Sequence, residues 1–96
     1  MEVNQILKDK REEILRIIAR HGARNAQVFG SVARGEARPE SDLDLLVKLD
    51  PGRSLLDLIA IKQDLEDLLG CEVDVVTEAA ISPYLREQVL REAVSL

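Results

Sequence analysis

Three aspartates and a Gly-Ser pair are the residues whose types and spacing point to chemistry. Asp42 and Asp44 flank Leu43 at the start of an alternating stretch, residues 42–49, that reads as a β-strand. Side chains alternate faces along a strand, so the two carboxylates share one side while Leu43, Leu45 and Val47 share the other. Like charges placed so close repel, and the arrangement calls for a compensating cation. Asp74 stands between Val73 and Val75 in a second apolar run, residues 72–77, where a buried strand prefers an apolar residue. If these two strands run parallel, Asp42, Asp44 and Asp74 converge on one patch of the open face of a sheet. Oxygen ligands of this kind suit Mg²⁺, which takes one or two carboxylates together with water and substrate phosphates.

A D-x-D pair on its own is most often a solvated strand end. The upstream segment changes that balance. Gly30-Ser31 ends a short apolar strand, residues 26–29, and leads into residues 31–34, which read as one helical turn. Backbone N–H groups at such a junction bind phosphate oxygens, and the Ser31 hydroxyl adds a donor. An antiparallel return of the chain sets this loop beside Asp42, so phosphates held at Gly30-Ser31 would adjoin a cation held by the aspartates. The two glycines Gly30 and Gly35 also fit the opening of a P-loop, but Glu36 and Ala37 stand where its Lys and Ser/Thr are required, and Glu36 would repel phosphate. A Walker-type nucleotide site is excluded.

The remaining elements must position these residues. Val3, Ile6, Leu7, Ile14, Leu15, Ile17 and Ile18, spaced among Lys, Arg and Glu, predict one amphipathic helix ending at Gly22. Gly and Pro make residues 35–41 a loop, and Asp50-Pro51-Gly52 a turn. Ser54 with Asp57 resembles a capping box, opening a Leu- and Ile-rich helix that closes at Gly70. Ser82 as N-cap and Pro83 at the first helical position open a last helix, with Leu85, Val89, Ala93 and Leu96 on one stripe. The long helix between the second and third strands is a crossover for parallel neighbours, whereas the short connection between the first two favours antiparallel pairing. The expected fold class is α+β or α/β: a small mixed three-stranded sheet with helices packed mainly on one face, forming a single domain over residues 1–96.

Gly30-Ser31, ten intervening residues and Asp42-Leu43-Asp44 make a G-S-x10-D-x-D pattern, and residues 30–47, GSVARGEARPESDLDLLV, resemble the minimal nucleotidyltransferases of the DNA polymerase β superfamily. The resemblance covers residues 26–77; the flanking helices carry no motif. It implies the polymerase β-like core and a Mg²⁺-dependent transfer of AMP from ATP to a hydroxyl, with release of pyrophosphate. It further implies that Asp42 and Asp44 bind two Mg²⁺ ions, and that Asp74 helps bind a metal and activates the attacking hydroxyl. Gly30 and Ser31 correspond to the triphosphate-binding positions, and Arg34 is a candidate for the nucleotide phosphates or for pairing with Asp42 or Asp44. Two metals ~3.5–4 Å apart stabilise both the attacking and the leaving oxygen of an in-line displacement, which leaves the protein to position and neutralise. The same resemblance implies a helical HEPN-domain toxin as partner, neutralised by complex formation or by adenylylation of a tyrosine, so that the chain would act as an antitoxin. A non-catalytic subunit that neutralises by binding alone, and transfer to an antibiotic or an RNA 3′ end, are the competing readings.

Composition bounds these expectations. The 96-residue chain has 46% hydrophobic and 32% charged residues, the profile of a globular domain. Its net charge of −5 argues against a general nucleic-acid binder. The acidity is concentrated after residue 38, where 13 acidic side chains face 5 basic ones. There is no apolar run of membrane-spanning length and no apolar stretch of signal-peptide type near the first residues, so a cytoplasmic protein without a membrane partner is expected. Cys71 has no Cys partner for a disulfide and no nearby His for zinc. Ser41 reads as a loop terminator, His21 as a structural residue at a helix C-terminus, Phe29 as core, and Tyr84 as a packing or partner contact. With Phe29 and Tyr84 the only aromatics, no platform for stacking bases exists.

Overall fold

A computed structural model describes residues 3–30 and 43–96. Ser31, Arg34, Ser41 and Asp42, with the expected helical turn at 31–34 and the loop at 35–41, lie outside the described residues. The described elements are α1 (Val3–Asp9), α2 (Arg11–Arg20), β1 (Ala23–Phe29), β2 (Leu43–Leu49), α3 (Leu55–Leu69), β3 (Val73–Thr77), a 3-10 turn (Glu78–Ala80), α4 (Pro83–Glu92) and β4 (Val94–Ser95). They build a mixed sheet in the order β3-β2-β1-β4. β1 pairs antiparallel with β2, and β2 pairs parallel with β3 across the α3 crossover.

One face of the sheet carries the core. Ala26 and Val28 of β1, Leu43, Leu45 and Val47 of β2 and Val73 of β3 are buried there against Ile14 and Ile18 of α2 and Leu58, Ile61, Leu65 and Leu69 of α3. The period of two in the strands and of three to four in the helices is what brings these residues to a shared interface. β1 carries a bulge between Arg24 and Gln27, at Asn25, whose φ is 56°. Asn tolerates this left-handed geometry, and the extra residue explains why Ala23 and Ala26, three apart, are both buried.

The capping box at α3 is complete. Ser54 Oγ accepts from the Leu56 N–H at 3.3 Å, the Ser54 N–H donates to Asp57 Oδ2 at 3.0 Å, and Gly70 closes the helix at φ 69°. Ser82 caps α4 by accepting from the Tyr84 N–H at 3.4 Å. No helix among the described residues is long and apolar enough to cross a membrane.

Three expectations are corrected. Among the described residues the sheet has four strands, because the chain leaves the helical region at Ala93 (ψ 137°) and residues 94–95 pair with β1. Leu96 is therefore off the α4 stripe, and its N–H donates to the Ala26 carbonyl at 3.1 Å. The free edge of β1 offers unpaired backbone groups there, which a further helical turn would leave uncovered. The first helix is broken at Lys10, within the charged run 8–13, which supplies no apolar side chain to the core. Phe29 is half-buried on the sheet face opposite the main core, next to the glycine that follows it.

Candidate active site

The parallel register makes Asp44 and Asp74 direct partners on adjacent strands, and Phe29 is the antiparallel partner of Asp44. Neighbouring strands lie about 4.8 Å apart, so the two carboxylates stand side by side on one face. This is the face opposite α2 and α3, since Leu43 and Leu45 on either side of Asp44, and Val73 before Asp74, are buried in the core. Asp44 is half-buried and Asp74 is exposed, so both reach solvent from a rigid sheet.

Gly30 meets Asp44 from the end of β1. Its φ is 76°, and a Cβ added there would collide with Asp44 Oδ2 and lie 3.3 Å from Asp44 Cγ. Both the left-handed backbone and the close approach demand glycine. The turn out of β1 thus begins in contact with the Asp44 carboxylate. Of the residues singled out from sequence, the structure brings together Gly30, Asp44 and Asp74; Ser31, Arg34 and Asp42 lie outside the described residues.

The donor set fits a hard divalent cation. Asp44 and Asp74 supply carboxylate oxygens, the ligand type preferred by Mg²⁺, at adjacent register positions. Along the same face, one row further from Gly30, a cleft of about 650 Å³ is lined by Gln27, Leu46, Lys48, Thr77, Arg86 and Leu90. It lies between the sheet and α4 and was not legible in the sequence, because its walls come from five separate elements: β1, β2, β3, the 3-10 turn and α4. Arg86 there is paired with Glu78 at 3.1 Å.

Two further groups near Asp74 escaped the sequence reading. Lys62 of α3 lies within electrostatic reach of Asp74. Its pKa is raised above the ordinary 10.5 mainly by its hydrogen bond to Glu66; burial opposes the rise, and the charges of Glu66, Asp74 and Glu72 add to it. The Glu66 carboxyl is held below its ordinary 4.5 by that bond and by the Val73 N–H. The available signal was an i,i+4 Lys-Glu pair on a helix, a pattern far too common to single out. His21 does play a structural part: its Nε2 lies 2.8 Å from Asp64 Oδ2, tying the end of α2 to α3. Cys71 packs against the core, and Tyr84, 94% exposed, packs against nothing in the described chain.

Several known proteins are similar to this chain in sequence and in fold. A Thermococcus cleftensis protein named Protein adenylyltransferase MntA is 40% identical over 93 residues, covering 97% of this chain and 91% of that one. A Methanocaldococcus jannaschii protein named as a candidate protein adenylyltransferase is 44% identical over 96 residues, covering 100% and 99%. Among solved structures, a candidate minimal nucleotidyltransferase superposes with a TM-score of 0.88 at 56% identity, covering 100% of this chain and 97% of that one. A chain of the toxin-antitoxin complex MntA-HpeT superposes with a TM-score of 0.71 at 25% identity, covering 93% and 70%. Residues 4–96 match the family described as Nucleotidyltransferase domain. With its paired strand aspartates and the glycine turn set against them, the chain belongs to the nucleotidyltransferase family.

Proposed function

We propose that this nucleotidyltransferase moves AMP from Mg²⁺-bound ATP to a hydroxyl, a tyrosine in the favoured case, of a HEPN-domain toxin, releasing pyrophosphate and so acting as an antitoxin. The observation that carries the reading is the in-register pair Asp44 and Asp74, with Gly30 packed on the first of them. The names of the adenylyltransferase relatives and the toxin-antitoxin assembly of the structural neighbour support the acceptor class.

In this reading Asp42, Asp44 and Asp74 hold two Mg²⁺ ions. Bound there, the ions supply charge neutralisation and polarisation of the α-phosphoryl group. The backbone at Gly30 and the Ser31 hydroxyl orient the triphosphate, and Arg34 contacts its oxygens. The acceptor oxygen forms a bond to the α-phosphorus as the bond to the bridging α–β oxygen breaks and pyrophosphate leaves. Asp74 accepts the proton of the acceptor hydroxyl on a carboxylate oxygen. The rigid sheet holds the two carboxylates in place, so little of the binding energy is spent on ordering them.

Incubating the chain with α-labelled ATP, Mg²⁺ and a candidate partner HEPN-domain protein tests this. Label is expected on the HEPN protein and is lost with Asp44→Asn. Absence of label, or transfer that survives Asp42→Asn combined with Asp44→Asn, overturns it. Neutralisation by complex formation alone is the second reading, favoured by the exposure of Leu55, Leu56 and Tyr84 at 73%, 76% and 94%. Protection of cells by that double variant would select it.

A further inference from the structure

β3 is an outer strand of the sheet, with β2 on one side. The Leu43 N–H donates to the Glu72 carbonyl at 3.0 Å, so Glu72 and Asp74 turn their backbone groups toward β2. The alternation of a parallel ladder then points the N–H and C=O of Val73 outward, over the sheet edge. Those two groups are not left to solvent. Lys62 Nζ donates to the Val73 carbonyl at 2.9 Å, and the Val73 N–H donates to Glu66 Oε2 at 3.1 Å. Lys62 also donates to Glu66 Oε2 at 2.9 Å, which closes the ring. One helical turn of α3 thus does for Val73 what a further strand would do.

We infer that Lys62 and Glu66 are positioning residues for Asp74, clamping the peptide groups that immediately precede it; the inference rests on the proposed role of Asp74 as a metal ligand. The clamp acts at the start of the strand. Val73 is the first residue of β3, and its side chain is fully buried while its backbone lies at an edge. Strand ends fray when their outward groups have only water as partner. Asp74 is the next residue, and its carboxylate works with Asp44 only while the register Leu43 to Val73 holds. Partners that orient metal ligands from outside typically change metal affinity by about 10–100-fold when removed.

The sign of the effect separates positioning from simple charge. Lys62 is a cation within reach of Asp74. Its field opposes a second cation, so Lys62→Met acting through charge alone would tighten metal binding. Positioning requires the opposite. The test titrates Mn²⁺ into the full chain, followed by electron paramagnetic resonance, with thermal melts on each variant and amide hydrogen exchange at Val73. Lys62→Met is expected to weaken Mn²⁺ about tenfold and to speed exchange at Val73, while Lys62→Arg restores most of the affinity. Unchanged or tighter Mn²⁺ binding in Lys62→Met overturns the inference, and so does a lowered Tm with wild-type affinity. Lys62→Gln carries the same sign test if Lys62→Met does not fold. Asp74→Asn separates the two claims. If it leaves Mn²⁺ affinity at the wild-type value, the assignment of Asp74 as a metal ligand fails and the inference with it. If Asp74→Asn weakens binding and Lys62→Met does not, only the clamp fails.

Discussion

Gly30 sits where any side chain would have to displace Asp44. Its positive φ costs a residue with a Cβ about 1–2 kcal/mol, and the added methyl would meet the Asp44 carboxylate as well. Gly30→Ala is therefore expected to lower Tm by on the order of 5 °C or more and to weaken Mn²⁺ binding at the same time. A melt and a Mn²⁺ titration on one sample check both, and a stability loss with wild-type affinity would show that Asp44 had not moved. Asp44→Asn should behave differently. Its side chain keeps nearly the same shape but loses the negative charge, so the melt should change little while Mn²⁺ affinity falls. Arg86 and Lys48 in the cleft beyond Leu46 lie on the same face, but Arg86 is paired with Glu78, so its charge is partly compensated.

At the scale of elements, α3 does most to hold the site. It is the crossover that makes β2 and β3 parallel, its buried stripe of Leu58, Ile61, Leu65 and Leu69 packs beneath the strands that carry Asp44 and Asp74, and its flank carries Lys62 and Glu66. Ser54→Ala removes one half of the capping box and should cost about 1 kcal/mol in a urea titration. Ile61→Ala, at a fully buried position, should cost about 2–5 kcal/mol by the same measurement. The Lys62–Glu66 pair also makes a pH prediction. Glu66 has its pKa lowered from 4.5, so its contribution is present above that value and is lost as pH falls through the lower folded value. Lys62 has its pKa raised from 10.5, so its contribution is present below 10.5 and is lost as pH rises through the higher folded value. The pair is intact throughout the neutral range. The Tm difference between wild type and a Lys62→Met, Glu66→Leu double variant should accordingly be flat near neutrality and shrink below pH 4.5. A difference that persists unchanged well below that pH would assign it to packing.

At the scale of the whole molecule, the sheet divides two tasks between its faces. One face is buried by α2 and α3, while the other keeps Asp44 and Asp74 within reach of solvent. The last residues finish the structure at the opposite edge from β3. Val94 pairs with Val28, the Leu96 N–H donates to Ala26, and Arg11 donates to the Leu96 carbonyl at 2.9 Å. Deleting residues 94–96 should reopen the edge of β1, lower Tm modestly and promote self-association, because an open strand edge is a template for pairing. Light scattering as a function of concentration measures this, and a variant that stays as monodisperse as wild type would show that β4 does not protect the edge.

The sequence by itself determined the features written in local periodicity and turn chemistry. Alternation along residues 42–49 and 72–77, the Ser54 and Ser82 caps and Gly70 define β2, β3 and α3 to within a residue or two of their ends, and the start of α4 but not its end. Connection lengths were enough for strand directions, because a 15-residue helix can span a parallel crossover and a short loop cannot. Gly30, Asp44 and Asp74 could be singled out as types at a spacing, and the parallel register sets the two aspartates side by side. What only the tertiary structure decided depends on partners distant in sequence. Residues 94–95 become a strand because β1 offers an edge, the first helix breaks because residues 8–13 find no core, and the bulge at Asn25 changes which β1 residues face inward. The clamp on Val73 belongs to the same class: Lys62 and Glu66 look like any exposed helical pair until the fold brings the start of β3 against them. Local preferences act over a few residues, while register, edges and cross-element contacts exist only once the chain has closed its long loops.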